Sequence, residues 1–354
     1  MIQEHISLKK YNTLKLDVYT KYFVEVYTIE DLINVLSSEV AKSEHNLILG
    51  GGSNILFSKN YDGIVIKINI QGKRVIYEDE DSLHLEICAG EDWPTVVDYA
   101  VHNGWGGIEN LALVPGTAGA APLQNIACYG HNLSESLLSV ETLDISNGTF
   151  KNFSKEACSL GYRTSIFKNE YAGKYIIVKI VLKLQKKPKL NTSYKSRYES
   201  IDDELSKLSS PPYTIRDVYQ AVINIRKRKL PDVNLVGTVG SVFKNPLITR
   251  SQYEQLRNVC PGIHCYPEHN LVYDSTREQP DDSELVKIPA AWLIDEMGWA
   301  GKRIKHCGIW PTQPLNLVNY GDATPDEYLS FVNFVRDAVK RTYSVSLEPE
   351  VLIV

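Results

Sequence analysis

The chain has 354 residues, 38 Lys and Arg against 43 Asp and Glu, and a formal net charge of −5. With 43% hydrophobic and 23% charged residues it reads as a globular protein of two or three domains. That balance offers no global basic field to nucleic acid or to an anionic membrane, and no apolar run approaches the ~20 residues of a bilayer span.

Taken in chain order, Tyr22–Tyr27 is predicted as a strand, and Thr28 with Asp31 forms a capping box opening a helix through Leu36. Leu47–Leu49, Ile64–Ile68 and the alternating Leu83–Ile87 are further strands. Trp93–His102 has helical spacing, with Gly104 as its cap. Leu138–Ile145 and Tyr175–Leu184 make the middle β-rich. The polar stretch from Lys186 to Pro212 reads as a linker or boundary. Beyond it, helices are predicted from Thr214 to Leu230, over Ala290–Met297, and from the Thr324-Pro325-Asp326-Glu327 start onward. Ser346–Glu350 then leads into a terminal strand.

Met1-Ile2-Gln3-Glu4-His5 lacks the basic and apolar segments of a signal peptide, so a cytoplasmic protein is expected. The six cysteines include no C-x-x-C pair and read as reduced packing thiols. Cys260, His264, Cys265 and His269 do not follow a standard zinc spacing, so no metal is expected.

Two segments of small residues could carry a ligand. Gly50-Gly51-Gly52-Ser53-Asn54 is either a tight surface turn or a phosphate-binding loop. It is neither a P-loop, which needs a following Lys-Ser or Lys-Thr, nor a dinucleotide fingerprint opening a helix. Val114-Pro115-Gly116-Thr117-Ala118-Gly119-Ala120-Ala121-Pro122 is either a close-packed bend or a bed for a flat ligand, and Gln124-Asn125-Ile126 follows it with amide donors and acceptors.

Six segments in a fixed order carry a resemblance. They are Gly50–Phe57, Glu109–Gly116, Gln124–Gly130, Gly161–Lys168, Gly240–Pro246 and Leu347–Glu350. Together they resemble the UDP-N-acetylenolpyruvoylglucosamine reductases, from about Asn12 to Val354. The resemblance implies an α+β fold: a two-lobed FAD-binding part of the vanillyl-alcohol-oxidase-like type with a smaller α+β substrate domain. The expected divisions are residues 1–70, 71–210, 211–345 and a terminal segment 346–354 that returns Glu350 to the site. It further implies noncovalent FAD, NADPH as co-substrate, and reduction of UDP-N-acetylglucosamine enolpyruvate to UDP-N-acetylmuramate by a monomer.

The same resemblance assigns residues. Arg163, Ser241 and Glu350 are catalytic. Tyr129, Tyr162, Tyr194, Arg226, Lys229, Asn245 and Glu296 contact substrate, with Tyr194 matching a tyrosine that closes over it in the longer subgroup. Gly50, Gly51, Gly52, Ser53, Asn54, Pro115, Gly116, Thr117, Gly119, Ala120, Gln124 and Ile126 bind the flavin. Three positions depart from the family pattern: Thr238-Val239 where Asn-Ala is common, Glu296 where glutamine is expected, and Leu352 where some relatives have arginine. Two other functions compete with this one. An oxidase of the same fold often tethers flavin through His or Cys, which neither flavin segment contains. A nucleotide-sugar binding module would hold no flavin at all.

Overall fold

A computed structural model describes residues 1–195, 199–267 and 285–354. It separates into two units, one comprising residues 1–6, 20–51 and 62–226, the other residues 7–19, 52–61 and 227–354.

The first unit is built on two sheets. Gln3–Ser7, Tyr19–Val26, Tyr61–Ile68 and Asn46–Leu49 lie side by side in that order, the last two parallel. Thr28 and Asp31 make the capping box that starts the connecting helix Ile29–Ser37. The second sheet is antiparallel and runs Phe150–Ser154, Leu137–Asp144, Tyr175–Gln185, Ser82–Cys88, Lys73–Glu78. Its strand Tyr175–Gln185 feeds two cores because side chains alternate along a strand, and an extra residue at Val178, opposite the Glu141–Thr142 step, shifts that alternation midway. Ile176 and Val178 pack with Val24, Val26, Ile64 and Ile66, while Ile177, Ile180 and Leu182 pack with Val96, Val97 and Ala100 of the helix Trp93–His102.

The second unit has a four-stranded sheet in the order Gly237–Ser241, Asn316–Asn319, Cys307–Ile309, Arg303–Ile304. A three-stranded sheet joins Leu247–Thr249, Leu285–Lys287 and Tyr266–Pro267. The helix Pro325–Tyr343, capped by the Thr324 hydroxyl, buries Tyr328, Val332, Val335 and Val339. Leu352–Ile353 ends the chain as a strand parallel to Ile55–Leu56. The α+β class expected from sequence is the class observed.

Three expectations are corrected. The polar stretch 186–212 contains the helix Ile201–Leu208, whose Ile201 and Leu205 are fully buried in the first unit's core. Two apolar residues one turn apart suffice to dock a helix, but they are too sparse to show as periodicity in a polar run. The cut expected at 211 also differs. Helix Ile215–Lys229 buries Val218, Ala221, Val222 and Ile225 in that same core, so the chain passes to the second unit only after Arg226. Residues 7–19 and 52–61, expected in the first lobe, belong to the second unit along with the terminal segment. The helix Arg250–Val259 was not foreseen, since it buries only Tyr253 and Leu256.

The six cysteines are free. Burial pushes the thiols of Cys158 and Cys307 up to about 12, as befits packing residues. Cys260 and Cys265 are buried in the second unit's core, and among the described residues no three His, Cys, Asp or Glu converge as metal ligands. His269 lies outside the described residues.

One glycine in the second unit has a measurable consequence. A Cβ on Gly237 would stand 2.1 Å from the Leu14 carbonyl oxygen, a backbone atom that cannot swing away. Gly237→Ala is therefore expected to destabilise the protein by about 3 kcal/mol. Gly104→Ala has φ +77 but nothing within 4 Å, so it should cost only ~1–2 kcal/mol from its left-handed backbone. Urea denaturation of the two variants checks the difference, and equal losses would refute the steric argument.

Candidate functional site

In the first unit the two small-residue segments lie against each other. A Cβ on Gly51 would meet the Gly116 Cα at 2.8 Å, and one on Gly50 would meet the Thr117 Oγ1 at 2.6 Å. Gly52 has φ +65, and a Cβ there would come within 2.0 Å of the Tyr11 carbonyl oxygen. Side chains are thus excluded from the triple glycine, at Gly50 by the Thr117 side chain and at Gly51 and Gly52 by neighbouring backbone. Ser53 and Asn54 follow in the second unit, where the Asn54 carbonyl accepts from Leu352 N at 3.1 Å.

After Thr117 the chain winds through a 3₁₀ segment, Ala118–Gln124, with Ala118, Ala121 and Pro122 buried. Gly119 is a packing glycine: its missing Cβ would lie 2.5 Å from the Ala89 Cβ. Pro115 is exposed, Gly116, Ala120 and Gln124 are half-buried, and Ile126 is buried. Small, partly open residues beside the Gly50-Gly51 turn leave backbone accessible to a flat, anionic cofactor, so these residues fit FAD.

A second group closes around this segment. The Ser165 hydroxyl donates to the Leu123 carbonyl at 2.7 Å, Asn125 Nδ2 to the Gly161 carbonyl at 3.2 Å, and Arg163 Nη2 to the Ala127 carbonyl at 3.4 Å. These bonds strap the turn Gly161-Tyr162-Arg163-Thr164 onto residues 123–127. Arg226 is held from two sides, donating through Nη1 to Cys128 Sγ at 3.0 Å and through Nη2 to the Leu113 carbonyl at 3.1 Å. Its Nε is buried and finds no hydrogen-bond partner among the described residues.

Tyr129 is buried, with its ring edge-to-face against Tyr194 at 5.2 Å. Burial holds its phenol well above the ordinary range, so it stays a neutral hydrogen-bonding group at physiological pH. Four non-glycine residues here have left-handed backbone: Leu113 (φ 55), Asn125 (φ 45), Tyr129 (φ 46) and Arg163 (φ 53). Such conformations are disfavoured by roughly 1–3 kcal/mol each and gather where surrounding structure over-determines them, as at binding sites.

In the second unit, Ser241 ends the strand Gly237–Ser241 at an irregularity in its pairing with Asn316–Asn319. Gly240 turns there with φ +72, and its N–H donates to the Thr238 hydroxyl at 3.1 Å. The departure at Thr238 is therefore accommodated by a turn its own side chain supports. Residues 242–244 run beside the end of the chain: Glu350 N donates to the Val242 carbonyl at 2.7 Å and Lys244 N to the Glu348 carbonyl at 2.9 Å. This ladder brings the backbones of Ser241 and Glu350 together, with Glu350 buried. Asn245 Oδ1 accepts from Ala290 N at 3.0 Å, at the start of helix Ala290–Glu296. The Lys229 carbonyl takes Trp310 Nε1 at 3.1 Å and Thr312 Oγ1 at 2.6 Å, which fixes the end of its helix.

Glu296 is exposed at the end of helix Ala290–Glu296. After burial, its charge is the next largest influence raising the Cys260 thiol, and it also raises the Tyr343 phenol. Leu352 is exposed in the terminal strand, so no core contact replaces the arginine of some relatives.

The comparisons with known proteins bear on both halves. A model described as FAD binding domain matches residues 20–154. A model of the C-terminal domain of UDP-N-acetylenolpyruvoylglucosamine reductase matches residues 231–354. The chain is 39% identical over 354 residues to the UDP-N-acetylenolpyruvoylglucosamine reductase of Flavobacterium johnsoniae, covering 100% of this chain and 99% of that one. The chain belongs to the UDP-N-acetylenolpyruvoylglucosamine reductase family. A relative in Pseudomonas aeruginosa with the same name is 36% identical over 349 residues, 99% of this chain and 98% of that one. The crystal structure of UDP-N-acetylenolpyruvylglucosamine reductase from Thermus caldophilus superposes with a TM-score of 0.66 at 22% identity, covering 100% of this chain and 99% of that chain, so the fold is shared along the whole length.

Several residues that hold the site in place were not singled out from sequence. Asn110, Asn125, Cys128, Ser165 and Asn191 all bond to backbone or side chains of the residues named above. Asn110, Asn125, Cys128 and Ser165 lie inside the recurring segments, but a buried asparagine and a loop asparagine look alike in sequence. Only the burial of Asn110 and Asn125 separates the two cases.

Proposed function

We propose that the protein reduces the enolpyruvyl ether of UDP-N-acetylglucosamine enolpyruvate to the lactyl ether of UDP-N-acetylmuramate, a step of peptidoglycan-precursor synthesis, with FAD as cofactor and NADPH as hydride source. The observation that carries this reading is the full-length match to reductases of that name, with an FAD-binding domain at residues 20–154 and the reductase C-terminal domain at residues 231–354. Gly50–Asn54 and Pro115–Ile126 would hold FAD, which would supply a hydride carrier between NADPH and the terminal carbon of the enolpyruvyl group.

The remaining chemistry falls to the protein. Hydride addition leaves negative charge on the neighbouring carbon and its carboxylate. Arg163 faces that carboxylate with a planar fork of donors. Ser241 gives the proton to the charged carbon, and buried Glu350 on the adjoining ladder stabilises the intermediate. Tyr129, Tyr162, Tyr194, Arg226 and Asn245 orient the sugar nucleotide, with Lys229 opposite its diphosphate. Gly50–Asn54 and Pro115–Ile126 receive the flavin. Glu296, exposed at the end of helix Ala290–Glu296, contacts the substrate on the same reading.

Among the described residues no helix is long and apolar enough to cross a membrane. The protein acts as a monomer in the cytoplasm on this reading. Acid denaturation tests the cofactor assignment: it should release a yellow chromophore with the mass of FAD into the supernatant. A flavin retained on the precipitated chain would point to the tethered oxidases instead, and a colourless protein that cannot be reconstituted would overturn the reading.

A further inference from the structure

Asn110 is 2% exposed, and its Nδ2 donates to two carbonyls from distant parts of the chain: Tyr129 at 2.8 Å and Asn191 at 2.9 Å. Asn191 answers in the other direction, its Nδ2 donating to the Gly130 carbonyl at 2.7 Å while its Oδ1 accepts from the Ser193 hydroxyl at 3.1 Å. Every polar atom of the Asn191 amide group is thereby oriented. Gly130 has φ +82, and a Cβ there would stand 3.2 Å from Asn191 Nδ2 and 3.5 Å from the Tyr194 Cβ, so the glycine lets the two segments approach. The result is three hydrogen bonds joining the left-handed turn at Tyr129-Gly130 to the segment that carries Tyr194, with the Tyr129 and Tyr194 rings in edge-to-face contact beside them. Hydrogen bonds to backbone carbonyls constrain where a turn sits without presenting any reactive group.

We infer that Asn110 and Asn191 form a clasp that sets the relative position of Tyr129 and Tyr194, making them positioning residues for the enolpyruvyl sugar nucleotide. This rests on the proposed function for the identity of the ligand, but the clasp itself is defined by its bonds. Neither asparagine touches reacting atoms. The clasp acts on substrate affinity and leaves flavin reduction by NADPH untouched.

The test uses the full-length flavoprotein with Asn191→Ala and Asn191→Asp. The second variant keeps the volume and places a carboxylate oxygen against the Gly130 carbonyl. KM for UDP-N-acetylglucosamine enolpyruvate should rise by roughly three- to tenfold, the loss expected for one hydrogen bond without a charge. The kcat at saturation and the rate of flavin reduction by NADPH should stay within about twofold. Deuterium uptake of residues 190–195 should increase relative to the wild type. Asn110→Ala is less informative because the residue is buried and the chain can misfold, which is why Asn191 is the chosen site. An unchanged KM with unchanged exchange overturns the clasp, as does an equal fall in both half-reactions with loss of flavin, which marks a structural role only. A wild-type protein that is reduced by NADPH but ignores the enolpyruvyl sugar counts against the proposed function. The exchange measurement still decides the clasp in that case, since greater uptake supports it and unchanged uptake overturns it.

Discussion

Ser241→Ala is expected to leave flavin reduction by NADPH near its normal rate and to slow reoxidation by the enolpyruvyl sugar by ~10²–10⁴, the usual contribution of a positioned acid. The asymmetry follows from when the residue acts, because no proton is needed until hydride has reached the enol carbon. Serine is a weak acid in water, but the intermediate that Ser241 is proposed to protonate is a strong base. The substitution removes one oxygen from a half-buried residue at a strand end, so the backbone bonds around it should persist: Val242 N to the Leu315 carbonyl at 3.0 Å and Glu350 N to the Val242 carbonyl at 2.7 Å. Anaerobic stopped-flow absorbance of each half-reaction separates the outcomes. If both halves slow equally, Ser241 supports the fold or the cofactor, and if neither slows, another group supplies the proton.

Arg163→Ala should lower the second half-reaction by ~10²–10³, the range seen when a preorganised donor to developing charge is removed. Little of that loss should come from stability. The strap onto residues 123–127 keeps its Ser165 and Asn125 bonds when the bond from Arg163 Nη2 to the Ala127 carbonyl, long at 3.4 Å, is lost. Arg163→Lys restores the charge but not the fork, so it should recover part of the rate and not all of it. Thermal denaturation alongside the kinetics checks the division. A large drop in melting temperature, or a lysine variant as slow as the alanine variant, would remove the electrostatic argument.

Much of the first unit was legible because its elements are marked locally. The Thr28–Asp31 box, the helical spacing of Trp93–His102 and the alternating Leu83-Leu85-Ile87 strand each announce themselves within a few residues. The helix Ile201–Leu208 was not legible, since its two core residues sit in a polar stretch and only tertiary packing makes them matter. The domain cut was misplaced for a related reason. The polar stretch ending at Pro211-Pro212 looked like a boundary, whereas Val218, Ala221, Val222 and Ile225 commit the helix after it to the preceding core.

The site divides in the same way. Gly50-Gly51 and Gly116-Thr117 stood out as small residues, but their mutual contact could not be read from a chain in which more than sixty residues separate them. The residue types at Arg163, Ser241 and Glu350 carry no signal by themselves; their order among the recurring segments does. Asn110 lies in one of the recurring segments, but nothing in the sequence ties it or Asn191 to the tyrosines, because a side-chain amide bonded to backbone leaves no periodic or spacing pattern.

The central claim is that hydride passes from NADPH through bound flavin to an enolpyruvyl sugar nucleotide. The visible spectrum of the purified protein under anaerobic conditions tests it most directly. NADPH should bleach the flavin band near 450 nm (about the usual position for oxidised flavin), and subsequent UDP-N-acetylglucosamine enolpyruvate should restore it with formation of an equal amount of UDP-N-acetylmuramate. A band that bleaches but returns only with oxygen, or a protein with no band after reconstitution with FAD, would contradict the account.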